Sequence, residues 1–271
     1  MSQLYFLGNS TKSQMFGCVI QTLTKTIVID GGTPGDGLQL SKLLREKANS
    51  HVDAWFFTHP HHDHIGAFLE ICKNNPEIKI DRVLCDFPSV DLLEKHGLRS
   101  NDEMKLWLEF EKLTGTRFYN SFYRVKKGDV FEFDQIKINV LRVFNKEITV
   151  NFVNNSSAVY RIDSPKTRVL ILGDLGVEAG KEVMENCSAE SLYADYTQLA
   201  HHGQNGVSQE FYQYIKPKTC LWASPEWLWN NDNGNGFDSG PWATLQTRKW
   251  MQELGVTEHI VEKDGTRCIL I

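Results

Sequence analysis

The chain has 271 residues, a formal net charge of −5, 41% hydrophobic residues and 23% charged residues. That length suits one α/β core, and the acidic balance excludes a general nucleic-acid binder, which needs a basic face to neutralise phosphates. Six cysteines are scattered with no C-x-x-C pair, and there is neither an 18-residue apolar run nor a basic-then-apolar leader. The expectation is a cytoplasmic protein with reduced thiols, no membrane span and no evident protein partner.

In chain order, residues 16–21 and 25–29 predict short strands, the second stopping at Asp30-Gly31-Gly32. A Gly/Pro loop at 33–37 precedes a helix over 38–47, with apolar residues Leu38, Leu40, Leu43 and Leu44 at helical spacing. An apolar strand at 52–58 runs directly into a histidine cluster, a helix over 65–73 starts just after it, and a strand follows at 80–85. The stretch from about 88 to 115 predicts a packed helical insertion with a break near Gly97. Runs at 117–125, 130–133 and 136–143 alternate and predict antiparallel strands. A hairpin of 157–162 and 168–172 leads into Gly173-Asp174. A helix over 177–186 and a strand over 193–200, ending at His201-His202-Gly203, come next. A helix at 209–215, a strand at 219–223, a helix at 242–254 and closing strands at 259–261 and 267–271 complete the chain. This order implies an α/β protein with two β-sheets and helices outside, and no linker divides residues 1–271. The Asn/Gly-rich stretch 230–240 beside Trp227, Trp229 and Trp242 is either a mobile loop on an aromatic wall or a plain surface loop.

The chemistry concentrates in Thr58-His59-Pro60-His61-His62-Asp63-His64. Imidazole and carboxylate suit Zn²⁺ and similar divalent ions. In extended backbone His59 and His61 point to one side. The adjacent Asp63 and His64 diverge, which suits a second ion. A solvated His-rich loop is the bland alternative, and it is disfavoured because the cluster lies between a buried strand and a helix. Asp174 follows an apolar run and can bridge two cations, although a lone Asp there is more often a turn or cap residue. His201 and His202 close another strand. Together the three segments make a two-metal constellation.

His59-x-His61-x-Asp63-His64, Gly173-Asp174, Ala200-His201-His202-Gly203 and the earlier Ile29-Asp30-Gly31-Gly32 resemble the motifs of the metallo-β-lactamase superfamily. The resemblance spans nearly the whole chain and implies a four-layer αβ/βα sandwich of two mixed sheets. Asn154-Asn155-Ser156-Ser157-Ala158-Val159, Lys216-Pro217-Lys218 and Asp264-Gly265-Thr266 are similar to the hydrolase domain of bacterial competence (ComEC-type) DNA-uptake proteins, without their membrane channel. Most superfamily members place a further histidine ligand before the Gly-Asp motif. The matching position here is Asn154, since His96 lies in the insertion.

The resemblance implies a first metal held by His59, His61 and Asp174 with help from Asn154, and a second held by Asp63, His64, Asp174 and one of His201 or His202. His201 is taken as the ligand, with His202 and Asp63 as the catalytic pair. Asp30 is expected to orient a ligand histidine, and Asn155, Ser157 and Trp227 are assigned to substrate. Two divalent ions, Zn²⁺ or the harder Mn²⁺, follow, the first bound more weakly. Such cations lower the pKa of a water held between them, so a bridging hydroxide exists near neutral pH. The leading expectation is hydrolysis of a phosphodiester in a nucleotide, small molecule or nucleic acid. A lactone, thioester or β-lactam hydrolase and a non-catalytic, metal-stabilised binding module are the alternatives.

Overall fold

In the computed structural model, which describes residues 2–97 and 100–271, two seven-stranded sheets pack face to face. Residues 98–99 of the expected insertion lie outside the described residues. The first sheet runs β16-β1-β2-β3-β5-β7-β8. Its members are β1 (Gln3–Phe6), β2 (Gly17–Gln21), β3 (Thr26–Asp30), β5 (Ala54–Phe56), β7 (Val83–Cys85), β8 (Phe122–Arg124) and β16 (Arg267–Leu270). The second runs β15-β14-β13-β12-β11-β10-β9. It consists of β9 (Val130–Phe133), β10 (Ile136–Arg142), β11 (Val159–Asp163), β12 (Arg168–Ile171), β13 (Tyr196–Gln198), β14 (Thr219–Trp222) and β15 (Glu258–Val261). A two-stranded ribbon joins β4 (His51–Val52) and β6 (Lys79–Ile80).

The two sheets follow the same plan. β16, β1, β2 and β3 are mutually antiparallel, and β5, β7 and β8 continue in parallel. β9 to β12 are antiparallel, and β13, β14 and β15 continue in parallel. The parallel strands are fed by helices on the outer faces, as parallel connections require.

Strand periodicity builds three apolar layers. In β3, Ile27 and Ile29 face the second sheet while Val28 faces the helices, and in β12 Val169 and Ile171 face the first sheet while Leu170 points outward. The central layer also contains Phe6, Phe16, Phe56 and Tyr160. The outer layers pack against α1 (Gly37–Ala48), α2 (His62–Asn74) and α4 (Asn101–Gly115) on one side, and α6 (Val177–Asn186), α8 (Gln209–Ile215) and α10 (Thr244–Glu253) on the other. This is the αβ/βα sandwich of the metallo-β-lactamase fold.

Several boundaries depart from the sequence reading. Residues 117–125 do not join the antiparallel strands. Only β8 forms there, parallel to β7 in the first sheet, because 117–121 turn after α4. The helix after the histidine cluster starts earlier, at His62, so Asp63 and His64 occupy its first turn. The insertion contains α3 (Val90–Gly97) and α4, with Ser100 capping α4 through Glu103 N. A four-residue helix, α5 (Phe152–Asn155), carries Asn154 and is too short to leave a periodic signal. A second short helix, α7 (Ala189–Leu192), trims the expected strand at 193–200 to β13.

Candidate metal centre

The centre lies where β3, β5, β12 and β13 end. Asp30 closes β3 in the left-handed region (φ 53°) and is fully buried. One carboxylate oxygen accepts from Thr58 N at 2.8 Å, and the other accepts from Thr58 Oγ1 at 2.6 Å and meets His64 Nδ1 at 2.7 Å. Asp30 thus sets the turn out of β5 and fixes the outer nitrogen of His64, leaving Nε2 for the centre. Thr58 Oγ1 lies 3.1 Å from His59 Nδ1.

The strand end after β12 turns at Gly173, with φ 57°. A Cβ there would stand 2.8 Å from Thr58 Cβ and 2.9 Å from Ser157 Oγ, so only glycine fits. The turn delivers Asp174, whose amide donates to Ser157 Oγ at 3.0 Å. Gln198, buried at the end of β13, donates to Gly173 O and Leu199 O and accepts from Leu172 N, which ties this turn to the neighbouring strand. His201 and His202 both adopt left-handed backbone (φ 52° and 57°), which costs about 1–3 kcal/mol for each residue. His201 N donates to Gly173 O at 3.0 Å, Ala200 N to Tyr212 Oη at 3.1 Å and Ser224 Oγ to His202 O at 2.6 Å, so the strained turn is held on three sides. At Gly203 a Cβ would sit 2.5 Å from the Trp222 ring.

Two groups of potential ligands result. Asp63, His64, Asp174 and His202 form one, and His59, His61 and Asp174 form the other, so Asp174 belongs to both. In the first-named group His64 Nε2 lies 3.2 Å from Asp174 Oδ1, and His202 Nε2 lies 3.1 Å from Asp63 Oδ2 and 3.4 Å from Asp174 Oδ2. Yet His64 Nε2, His202 Nε2 and Asp174 Oδ1 are buried without a hydrogen-bond partner. Buried polar atoms are rarely left so. Lone pairs that converge without bonding one another fit a cation at their focus. His202 Nδ1 is spent on Ala223 O at 2.8 Å, which aims its Nε2 at that focus. In the other group His59 Nε2 lies 2.9 Å from His61 Nδ1 and 3.5 Å from Asp174 Oδ2.

The charges are interlocked. Burial acts to lower His64, but Asp174 and Asp30 outweigh it and hold its pKa at about 10. Burial likewise opposes the charge on His202, and Asp174 and Asp63 overcome it. Burial acts to raise both carboxyls. Contact with His202 and the charge of His64 hold Asp63 well below its usual range, and His202, His64 and His59 do so for Asp174. Burial, with the neighbouring His64 cation, lowers His59, and burial lowers His201. Without metal, protons on His64 and His202 neutralise the two carboxylates. A divalent cation would take their place.

The family model described as the metallo-beta-lactamase superfamily matches residues 18–82, the segment from β2 through the histidine cluster to the turn before β7. That segment is similar to the metallo-β-lactamase superfamily, and the chain has the metallo-β-lactamase fold. The matched segment and the two His/Asp groups are those expected of a metal-dependent hydrolase, with the bond class open. Among solved structures, the metallo-beta-lactamase fold protein YhfI from Bacillus subtilis aligns over 100% of both chains with a TM-score of 0.59 and 14% identity. CmlA, a diiron beta-hydroxylase from Streptomyces venezuelae, aligns over 100% of this chain and 54% of its own with a TM-score of 0.57 and 12% identity. At such identities these likenesses concern the fold. No curated protein matches the chain.

The superfamily fold places several residues differently from the sequence reading. His202, rather than His201, joins the four-ligand group, because its Nδ1 is anchored on Ala223 O and its ring is fully buried. His201 is the histidine left outside, with 17% side-chain exposure. Its Nε2 lies 3.4 Å from Asn154 Nδ2 and 3.9 Å from Asp174 Oδ2. The geometry thus groups His202 with the candidate ligands and leaves His201 beside them. Asn154 is buried, donates to Asn151 Oδ1 at 3.0 Å and has no hydrogen bond at Oδ1.

The three residues assigned to substrate are engaged otherwise. Asn155 is buried, donates to Val150 O and Glu178 Oε2, and accepts from Gly176 N and Ala179 N, so it caps α6. Ser157 is fully buried and spends its hydroxyl on Asp174 N. Trp227 donates to Lys12 O at 2.7 Å and packs edge-on against Trp242 with ring centroids 4.8 Å apart. It acts on the centre indirectly, by pinning the loop that carries Gln14. That loop was silent in the sequence. Gln14 Nε2 reaches Asp63 Oδ2 at 3.3 Å and Gln14 Oε1 accepts from Gln204 Nε2 at 3.1 Å, which ties the first half of the chain to the second above the centre. Gln198 and Gln204 were equally silent, since a neutral polar residue outside a motif has no spacing to betray it.

Proposed function

We propose that this protein is a dinuclear metallo-hydrolase of phosphodiester-type bonds, acting on a nucleotide or another small phosphodiester. The observation that carries the reading is the sharing of Asp174 between two buried ligand groups. Two cations held so close, when bound, supply an activated water and clamp both oxygens of an in-line displacement, the arrangement common to phosphatases and nucleases. The competence-type motif around Asn154 and the Asp264-Gly265-Thr266 turn favour the same bond class, and a net charge of −5 favours a small substrate over a long polyanion.

The chain's own groups have distinct tasks in this reading. Asp63 orients the attacking water and accepts its proton, with Gln14 fixing one carboxylate oxygen. Asp30 and Ala223 O hold the rings of His64 and His202 in one tautomer. His201, kept neutral by burial and partly open to solvent, contacts a non-bridging phosphate oxygen. Asn154 completes the His59–His61 group with an amide oxygen, a harder and weaker donor than imidazole.

The test is a hydrolysis panel in Zn²⁺ or Mn²⁺ of bis-p-nitrophenyl phosphate, single-stranded DNA, a lactone and a chromogenic cephalosporin, with Asp63→Ala as control. Turnover of the phosphodiester, lost in the control, is expected. Preference for the lactone or cephalosporin would overturn the bond class, and no turnover with metal bound would favour a binding module.

A further inference from the structure

Away from the metal centre, a cavity of about 390 Å³ opens between the insertion helices α3 and α4 and the ends of β7 and β8. Its walls are largely apolar: Phe87, Leu93, Trp107 and Phe110, with Pro60 on the side of the histidine cluster. None of the metal-binding side chains lines it. The volume lies within the range of small-molecule sites, roughly 300–1,000 Å³, and is too small for a protein element.

Arg124 is the one cationic residue of a described lining that also includes Glu111, Ser89, Thr114 and Tyr119. Arg124 lines it, is 57% exposed and pairs with Asp86 through Nη1 at 2.8 Å. A guanidinium has five N–H donors in a planar fork that matches a carboxylate, so this pair leaves donors to spare. The cavity is also wired to the centre, because Trp107 Nε1 donates to Pro60 O at 2.8 Å, between His59 and His61.

We propose that this cavity is a second binding site, taking a small amphipathic carboxylate whose apolar chain lies among Phe87, Leu93, Trp107 and Phe110 and whose carboxylate meets Arg124. The ligand packs on the tryptophan that holds the backbone between two metal-binding histidines. Occupancy therefore bears on the His59–His61 group without any contact with the metal.

The test is calorimetric titration of the whole chain with sodium octanoate and, separately, octan-1-ol, so that the readout is binding and stands apart from hydrolysis. Saturable one-to-one binding of octanoate is expected. Arg124→Gln should weaken octanoate at least tenfold and leave octanol unchanged. Thr114→Trp, which fills the cavity from α4, should abolish both. Gly115→Phe provides a second variant in the lining, since a Cβ at Gly115 meets nothing within 4 Å. Far-UV circular dichroism and melting temperature verify each variant. Absence of saturable binding, undiminished binding in a folded filling variant, or equal losses of octanoate and octanol in Arg124→Gln would overturn the proposal.

Discussion

The two ligand groups that share Asp174 are built to different standards. In the group of Asp63, His64, Asp174 and His202, each imidazole has its outer nitrogen fixed, His64 by a buried carboxylate and His202 by a backbone carbonyl. In the group of His59, His61 and Asp174, His59 is steadied by a hydroxyl, and its inner nitrogen lies 2.9 Å from His61 Nδ1. That group also has three candidate ligands where the other has four. Pre-orientation lowers the cost of assembling a coordination sphere, so the difference implies a tight ion beside His202 and a weaker one beside His59.

The most severe way to break this comparison is to remove the shared ligand. Asp174→Asn should lose both ions and lower turnover by on the order of 10³-fold or more, since cations contribute several kcal/mol to such reactions. Metal content after desalting and steady-state rates read this directly. Loss of only one ion would separate the groups. Removal of one anchor should discriminate between them. Asp30→Asn should weaken the ion beside His64 by about 10–100-fold and leave the His59–His61 group unaffected. Competition with a chromogenic chelator is the measurement. Asn154→His should sharpen the comparison in the opposite direction, raising affinity at the weaker position several-fold and narrowing the gap. An unchanged gap would mean that Asn154 does not face the first ion.

Acidity offers the mildest test. In the metal-free chain His64 has a folded pKa of about 10 against an ordinary 6.5, so its stabilisation is complete below 6.5 and fades as pH rises through 10. His202, also raised, acts in the same direction. Asp63 and Asp174 are lowered, so their contribution is present above 3.8 and is lost as pH falls through their folded values. The melting temperature in chelator should therefore peak between pH 3.8 and 6.5 and decline towards pH 10. Saturating metal should remove that decline, because the imidazoles must be neutral to ligate. A chelated protein that becomes more stable above 6.5 would contradict the assignment of protons to His64 and His202.

What the sequence made legible follows from how each feature is encoded. Two-sided burial in β3, β5 and β12 leaves near-continuous apolar runs, and the candidate ligands His59, His61, Asp63, His64 and Asp174 follow β5 and β12. Metal chemistry restricts residue type, so these positions announce themselves. The choice between His201 and His202 is different. Both have left-handed backbone, and side-chain direction then depends on Tyr212, Ser224 and Gly173, which no local pattern reveals. Asn155 and Ser157 were misread for a related reason. Polar residues near a motif look like contacts for substrate, but here they satisfy the α6 amides and the Asp174 amide. Gln14 reaches Asp63 from a loop 49 positions away, so only the folded chain discloses it. β8 pairs in parallel with β7 instead of joining the antiparallel strands expected after it, because a three-residue edge strand carries almost no periodicity.

The most direct test of two unequal positions around one shared aspartate is a crystal structure series with anomalous scattering, collected at graded chelator concentrations. One ion should persist among Asp63, His64, Asp174 and His202 after the ion beside His59 and His61 has been stripped. Two ions lost together, or a last ion remaining beside His59 and His61, would contradict the account.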